Sequence, residues 1–332
     1  MDYVNLGRTG VKVSPLCLGC MNFGLRATEE ESIPVIQHAI DNGVNFIDTA
    51  NIYGLMPTDP PMGEGPGRSE EIVGKALKQS SRRDWVVLAT KVHATMRPDD
   101  PNGSGITRRH IIAEVEQSLR RLGTDYIDLY QLHAPMTEAA HDESFRALDD
   151  LVRSGKIRYF GTSSFPAWRI MEGLHISAQL GLNRLVSEQP QYNLLNRRIE
   201  REVVPMAQAH DVAILPWSPL AMGFLTGKYS RDDAPPEGSR FSSPLNWLHY
   251  MGDRAHNLLD VMREMAAEKG CTVSQLAIAW VMNQPAVTSV IIGPRTVDQL
   301  DDNLGALYVK ITDEERERLN KVTKPRDHIL EI

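Results

Sequence analysis

Asp48, Lys91 and His133 each close an apolar run: Asn45-Phe46-Ile47-Asp48, Val86-Val87-Leu88-Ala89-Thr90-Lys91 and Asp128-Leu129-Tyr130-Gln131-Leu132-His133. About one strand-plus-helix unit separates each from the next, so the three belong on one rim if the runs are parallel strands. Tyr53 follows Asp48 closely enough for a short loop to return its phenol to the same spot. The residue types have a joint chemistry. An ammonium at Lys91 favours phenolate at Tyr53, and Asp48 keeps that ammonium charged. A phenol with an ordinary pKa of ~10, tuned in this way, can give a proton to a developing alkoxide or take one from an alcohol. His133 can donate to the same oxygen.

Positioning these groups requires strands and helices in alternation, and the chain supplies both. Leu16 to Gly19, Phe46 to Asp48, Val86 to Thr90, Ile127 to Leu132, Ile157 to Thr162, Leu185 to Glu188, Val212 to Leu215 and Ser289 to Ile292 read as eight buried strands. Helical patterns lie between them. Thr28-x-x-Glu31 forms a capping box ahead of Ile33, Ile36 and Ile40, although Pro34 complicates the start of that helix. Ile111, Val115, Leu119 and Leu122 recur at helical spacing before Gly123, and Thr296-x-x-Gln299 caps another helix.

Continuous apolar strands need cover on both faces, and eight βα units predict a (β/α)8 TIM barrel of the α/β class, in one domain spanning residues 1–332. No G-x-G-x-x-G follows the first strand, which disfavours an open dinucleotide-binding sheet. Gly63-Glu64-Gly65-Pro66-Gly67 reads as a Pro-rich loop insertion and not as a phosphate cradle. Two connections are long: Leu55 to Gly67 after the second barrel strand, and about Ser230 to Gly252 after the seventh. The second carries Phe241, Trp247 and Tyr250, which suit a pocket wall or a loop anchor. Leu55, Met56 and the prolines of the first offer a similar apolar wall.

The 332 residues are 42% hydrophobic and 24% charged, an ordinary balance for a soluble globular chain. A net charge of -7 provides no basic field for nucleic acid or an anionic membrane surface, and no apolar run approaches the roughly 20 residues of a membrane span. The expected partner is a small molecule and the expected location cytoplasmic; monomer and homo-oligomer stay open. Cys17-Leu18-Gly19-Cys20 matches a redox spacing, but strand geometry points positions i and i+3 to opposite faces, so packed thiols are expected. The histidines form neither H-x-H nor H-E-x-x-H, so a metal hydrolase is disfavoured and no metal is assigned.

The catalytic constellation resembles the aldo-keto reductase superfamily, including its bacterial members, over almost the whole chain. Asn5-Leu6-Gly7-Arg8-Thr9-Gly10-Val11-Lys12-Val13-Ser14 resembles the family's opening hairpin. Gly43 to Gly54, containing Asp48-Thr49-Ala50-Asn51-Ile52-Tyr53, resembles its Asp-to-Tyr signature, and Leu122 to His133 resembles its strand-4 motif. The resemblance implies Tyr53 as proton donor, tuned by Lys91 and Asp48, with His133 orienting a carbonyl. It also implies a nicotinamide cofactor across the barrel mouth. Gly19, Asp48, Ser163 and Gln189 fall at the nicotinamide end, with Gln189 on the carboxamide and Trp217 stacked on the ring. Ser218, Leu220, Gly223 and Lys228 correspond to the pyrophosphate loop, and Gly293, Arg295, Gln299 and Asn303 to the adenosine-phosphate site. Arg295 before a helix start favours a 2′-phosphate, hence NADP(H). One departure is visible: the family's Gly-x-Ser-Asn after strand 5 is here Gly161-Thr162-Ser163-Ser164. The implied activity is NADP(H)-dependent interconversion of a carbonyl, an aldehyde or ketone with bulky cyclic and sugar-like ones among the candidates, and its alcohol; the alternative is a cofactor-bound regulatory subunit without turnover.

Overall fold

The computed structural model describes residues 1–56, 62–231, 234–237, 239 and 252–323. A two-rung antiparallel hairpin, β1 (Val4–Asn5) and β2 (Lys12–Val13), opens the chain. Then come β3 (Leu16–Gly19), α1 (Glu29–Asp41), β4 (Phe46–Asp48), a small hairpin of β5 (Leu55–Met56) and β6 (Met62–Gly63), α2 (Arg68–Ser80), β7 (Val87–Val92) and α3 (Arg108–Leu122). The middle holds β8 (Ile127–Leu132), α4 (His141–Arg153), β9 (Ile157–Ser163), α5 (Ala167–Leu180), β10 (Ser187–Gln189), α6 (Val203–His210) and β11 (Ala213–Ile214). The chain continues with α7 (Asp253–Lys269), α8 (Val273–Met282), β12 (Val290–Ile292), α9 (Val297–Gly305) and α10 (Asp313–Thr323).

Eight strands pair in parallel in the order β11-β10-β9-β8-β7-β4-β3-β12. The two ends meet through the single bridges Ile214↔Val287 and Trp217↔Ile291, with Ile291 N donating to Pro216 O at 2.8 Å. The sheet thus curls into a (β/α)8 barrel, as the sequence pattern predicts. Period-two alternation sorts each strand into an inner and an outer row. Cys17, Phe46, Val87, Ala89, Leu129 and Ile291 join the inner cluster, plugged by Leu6 and Val13 of the N-terminal hairpin. Leu16, Leu18, Ile47, Leu88, Val92, Tyr130 and Leu132 face outward into the larger cluster shared with the helices. Cys17 and Cys20 fall in different clusters, both fully buried and unbonded to each other.

The same parity turns Asp48, Lys91 and Gln131 inward, above Phe46, Ala89 and Leu129. Helices lock these strands in place. Thr28 and Glu31 make both bonds of the capping box, and α1 runs through Pro34 without a break. The cost of an internal proline, ~3 kcal/mol, is offset by burial of Val35, Ile36 and Ile40 at ~1.5–3 kcal/mol each. Gly123 stops α3 in a left-handed cap with φ 62°.

Candidate functional site

Asp48 and Lys91 are 2% and 0% exposed, a depth at which neither charge survives without partners. Lys91 Nζ uses all three of its donors: Asp48 Oδ2 at 2.5 Å, Thr49 O at 2.8 Å and Tyr53 Oη at 3.1 Å. Asp48 Oδ1 accepts from Gln131 Nε2 at 3.0 Å and from Gln189 Nε2 at 2.9 Å. The loop after β4 brings Tyr53 into this set. Thr49 N donates to Ala89 O, Asn51 N to Lys91 O and Tyr53 N to Ala50 O, a turn that folds the phenol back over Lys91. His133 stands edge-on to Tyr53, with ring centroids 5.7 Å apart.

The electrostatics of this cluster follow from burial and charge together. Burial opposes the Lys91 ammonium, but the Asp48 carboxylate and the Tyr53 phenol outweigh it and hold Lys91 above its ordinary range. For Tyr53 the sequence expectation of a phenol drawn down by Lys91 needs correction. Burial is the larger influence and Asp48 adds to it, so the phenol is raised despite the adjacent ammonium. His133 is pushed down to about 3, by burial first and then by Lys91 and His93. The resting cluster therefore holds an ammonium, a protonated phenol and a neutral imidazole at neutral pH.

Tyr53 opens onto a cavity of about 650 Å³ at the carboxyl ends of the barrel strands. Gly19, Asp48, Tyr53, His133, Ser163 and Gln189 border it. Trp217, Ser218, Leu220, Gly223 and Lys228 also line it, as do Gly293, Arg295, Gln299 and Asn303. Every site residue named from the sequence borders this space except Lys91, which lies beneath Tyr53. A Cβ at Gly19 would meet Ile291 Cγ2 at 2.6 Å, so glycine there is also required by packing against β12.

Trp217 is fixed by bridges to Gln191 on one side and Ile291 on the other. After it the backbone is strained: Ser218, Ala221 and Met222 have φ of 58°, 47° and 58°, and Gly223 has φ 97°. Non-glycine residues in this region cost of order 1–3 kcal/mol each, a strain that concentrates at ligand clamps. Ser218 Oγ accepts from Met222 N at 2.9 Å and secures the turn. Ser164 is likewise left-handed at φ 60° and borders the cavity.

Sequence reasoning missed Gln131, Asn22 and Arg26. Gln131 was discoverable as a lone polar side chain on the inner row of β8, two positions before His133; Arg26 lies in a loop without a motif. Leu55 and Met56, expected as a pocket wall, border none of the cavity. Their hairpin is tied instead to neighbouring turns, with Glu64 N donating to Gly24 O at 2.8 Å and Gly65 N to Gly54 O at 3.1 Å. Phe241, Trp247 and Tyr250, and the prolines at 57, 60 and 61, lie outside the described residues.

An inward Asp-Lys-Tyr cluster with an adjacent His at the mouth of a (β/α)8 barrel accords with a family comparison. The model of the aldo/keto reductase family matches residues 15–324, and the chain belongs to that family of oxidoreductases. It is 38% identical over 327 residues to the uncharacterized oxidoreductase YrpG of Bacillus subtilis, covering 97% of this chain and 96% of that protein. It is 35% identical over 349 residues to versiconal hemiacetal acetate reductase of Aspergillus parasiticus, covering 98% of each chain. A probable voltage-gated potassium channel subunit beta of Arabidopsis thaliana is 36% identical over 320 residues, covering 93% of this chain and 92% of that one. None of the described helices is long and apolar enough to cross a membrane.

Family membership supports a nicotinamide cofactor, and the cavity fits one in two respects. Asn22 Oδ1 and Arg26 Nε are buried polar atoms on its border without a partner. Gln189 has spent its amide nitrogen on Asp48 and Gln131, because a carboxylate can only accept, and its amide oxygen remains for a ligand donor.

Proposed function

We propose that this protein is an NADP(H)-dependent reductase that interconverts a carbonyl compound and its alcohol, with Tyr53 as general acid and base. One observation carries the reading: Lys91 donates to the Tyr53 oxygen, so the phenol's own proton is left to point into the cavity. When bound, the cofactor supplies or accepts a hydride at carbon. Tyr53 gives its proton to the oxygen that becomes the alkoxide. Lys91, kept charged by Asp48, stabilises the phenolate left behind. Neutral His133 donates to the same oxygen and orients the carbonyl. Gln189 and Ser163 would hold the carboxamide, Trp217 would stack on the ring, and the strained turn at Ser218, Leu220 and Gly223 with Lys228 would take the diphosphate.

Gly293, Arg295, Gln299 and Asn303 would take the adenosine end, and the Arg295 guanidinium is the reason for preferring the 2′-phosphorylated form. The Aspergillus relative's name places that enzyme on a hemiacetal acetate, which favours a ring-bearing substrate here. The Arabidopsis relative's name favours a second reading, a cofactor-bound regulatory subunit. Steady-state assays with NADPH and NADH against a panel of aldehydes, cyclic ketones and sugars separate the two. Turnover with NADPH supports the enzyme; tight cofactor binding with none over the whole panel supports the subunit.

A further inference from the structure

The loop after β3 is built to present one side chain. Asn22 O accepts from Leu25 N at 3.2 Å, Arg26 N at 2.8 Å and Ala27 N at 3.0 Å, closing a tight turn. Asn22 Nδ2 then donates to Gly293 O at 2.9 Å, joining this turn to the corner that carries Arg295, 271 residues away. The small β5–β6 hairpin braces the same turn through Glu64 N and Gly24 O. Arg26 thereby borders the same cavity as Arg295, near enough for the two cations to act on each other.

Two guanidinium groups side by side repel, and a folded chain usually answers with a carboxylate. Here it does not. Among the described residues neither Arg26 nor Arg295 forms an ion pair, and Arg26 Nε is buried without an acceptor. The carboxylates bordering the cavity are engaged elsewhere: Asp48 with Lys91, and Asp302 Oδ1 with Thr272 Oγ1 at 2.8 Å and Gln275 Nε2 at 3.1 Å. Burial first, and then Arg295, hold the Arg26 guanidinium below its ordinary range, so the pair is an unbalanced cation site. Asn22 Oδ1, 8% exposed by residue and unpartnered, adds an acceptor suited to a hydroxyl donor.

We infer that Arg26 is a specificity-determining residue that shares the ribose 2′-phosphate with Arg295, while Asn22 accepts from a neighbouring ribose hydroxyl. The inference rests on the NADP(H) reading above. A dianionic phosphate monoester matches two planar forks of donors better than the singly charged phosphates of a diphosphate do.

The test is titration of NADPH, NADH, adenosine 2′,5′-bisphosphate and adenosine 5′-monophosphate into the full chain and its Arg26→Met and Arg26→Lys variants. Arg26→Met is expected to weaken NADPH and the bisphosphate roughly 10- to 150-fold, the loss of one charge-assisted contact, and to leave NADH and the monophosphate within about twofold. Unchanged NADH binding also shows that the variant is folded. Arg26→Lys is expected to restore part of the loss. A wild-type preference for NADPH that survives Arg26→Met undiminished would overturn this inference alone. Equal weakening of all four ligands would overturn it too, by placing Arg26 on the diphosphate or in the scaffold. Equal wild-type affinity for NADPH and NADH would overturn both this inference and the NADP(H) reading beneath it.

Discussion

Gln189 Nε2 lies 2.9 Å from Asp48 Oδ1, across 141 residues of chain, and the same nitrogen reaches Gln131 Oε1 at 3.1 Å. The residue proposed to hold the nicotinamide carboxamide is thus bonded to the carboxylate that keeps Lys91 charged. On the proposed reading, placement of the cofactor and tuning of Tyr53 would share one hydrogen-bonded unit.

Gln131 is the member of that unit whose loss should be read most cleanly. Gln131→Leu removes one charge-assisted bond to Asp48 and one anchor of Gln189, and is expected to lower kcat roughly 10- to 150-fold with the melting temperature largely kept. Gln131→Glu, which sets a second carboxylate beside Asp48, is expected to do worse. Wild-type kcat in both variants would remove Gln131 from the catalytic unit.

Tyr53→Phe deletes the oxygen that Lys91 contacts at 3.1 Å and leaves the rest of the cavity border in place. Reduction is expected to fall by about 10²–10⁴, with cofactor affinity within about twofold of wild type. Parallel titration and turnover decide it, and wild-type turnover on any accepted carbonyl would refute the proton-donor role.

Arg295→Ala should lower the preference for NADPH over NADH by roughly 10- to 150-fold, the loss of one charge-assisted contact. Dissociation constants for the two cofactors, before and after the substitution, provide the check.

Glu188 should make stability fall as pH rises. Burial pushes its carboxyl up to about 8, against the bonds from Thr162 Oγ1 at 2.6 Å and from the Phe165 and Ser164 amides. The native state keeps this proton until about pH 8, whereas an unfolded glutamate releases it near 4.5. Protons are therefore lost on unfolding across that window, and the contribution present at low pH disappears as pH climbs. Glu188→Gln retains a carbonyl for Phe165 N and does not titrate. Its melting temperature relative to wild type is expected to rise by at least ~2 °C between pH 5 and pH 8.

Asp48, Lys91 and His133 were legible because a strand's period of two and one βα unit of spacing place their side chains without knowledge of any contact. The Thr28 and Thr296 caps were legible because their partners lie three residues away. Gln131 and Gln189 meet Asp48 across 83 and 141 residues, a register that only the closed barrel defines. Tyr53 shows the same boundary in energetic form. The charge beside it could be read from residue types, but its degree of burial could not, and burial decides the direction of its shift. Arg26 gave no signal, since its position depends on a bond from Asn22 to a carbonyl near the other end of the chain.

The closure of the barrel carries a last consequence. Its other strand pairs are ladders, whereas at the β11 and β12 edges the sheet closes through a seam of two isolated bridges, Ile214↔Val287 and Trp217↔Ile291. Trp217 and Ser218 border the cavity on one side of the seam, Ile291 and Gly293 on the other. A dinucleotide seated between them would rivet the two edges and supply rungs that the polypeptide omits. Amide hydrogen exchange around residues 214–217 and 287–292 should then slow on cofactor addition more than anywhere else in the barrel, by the free energy that binding adds to the closed form. In this barrel the ligand would be part of the wall.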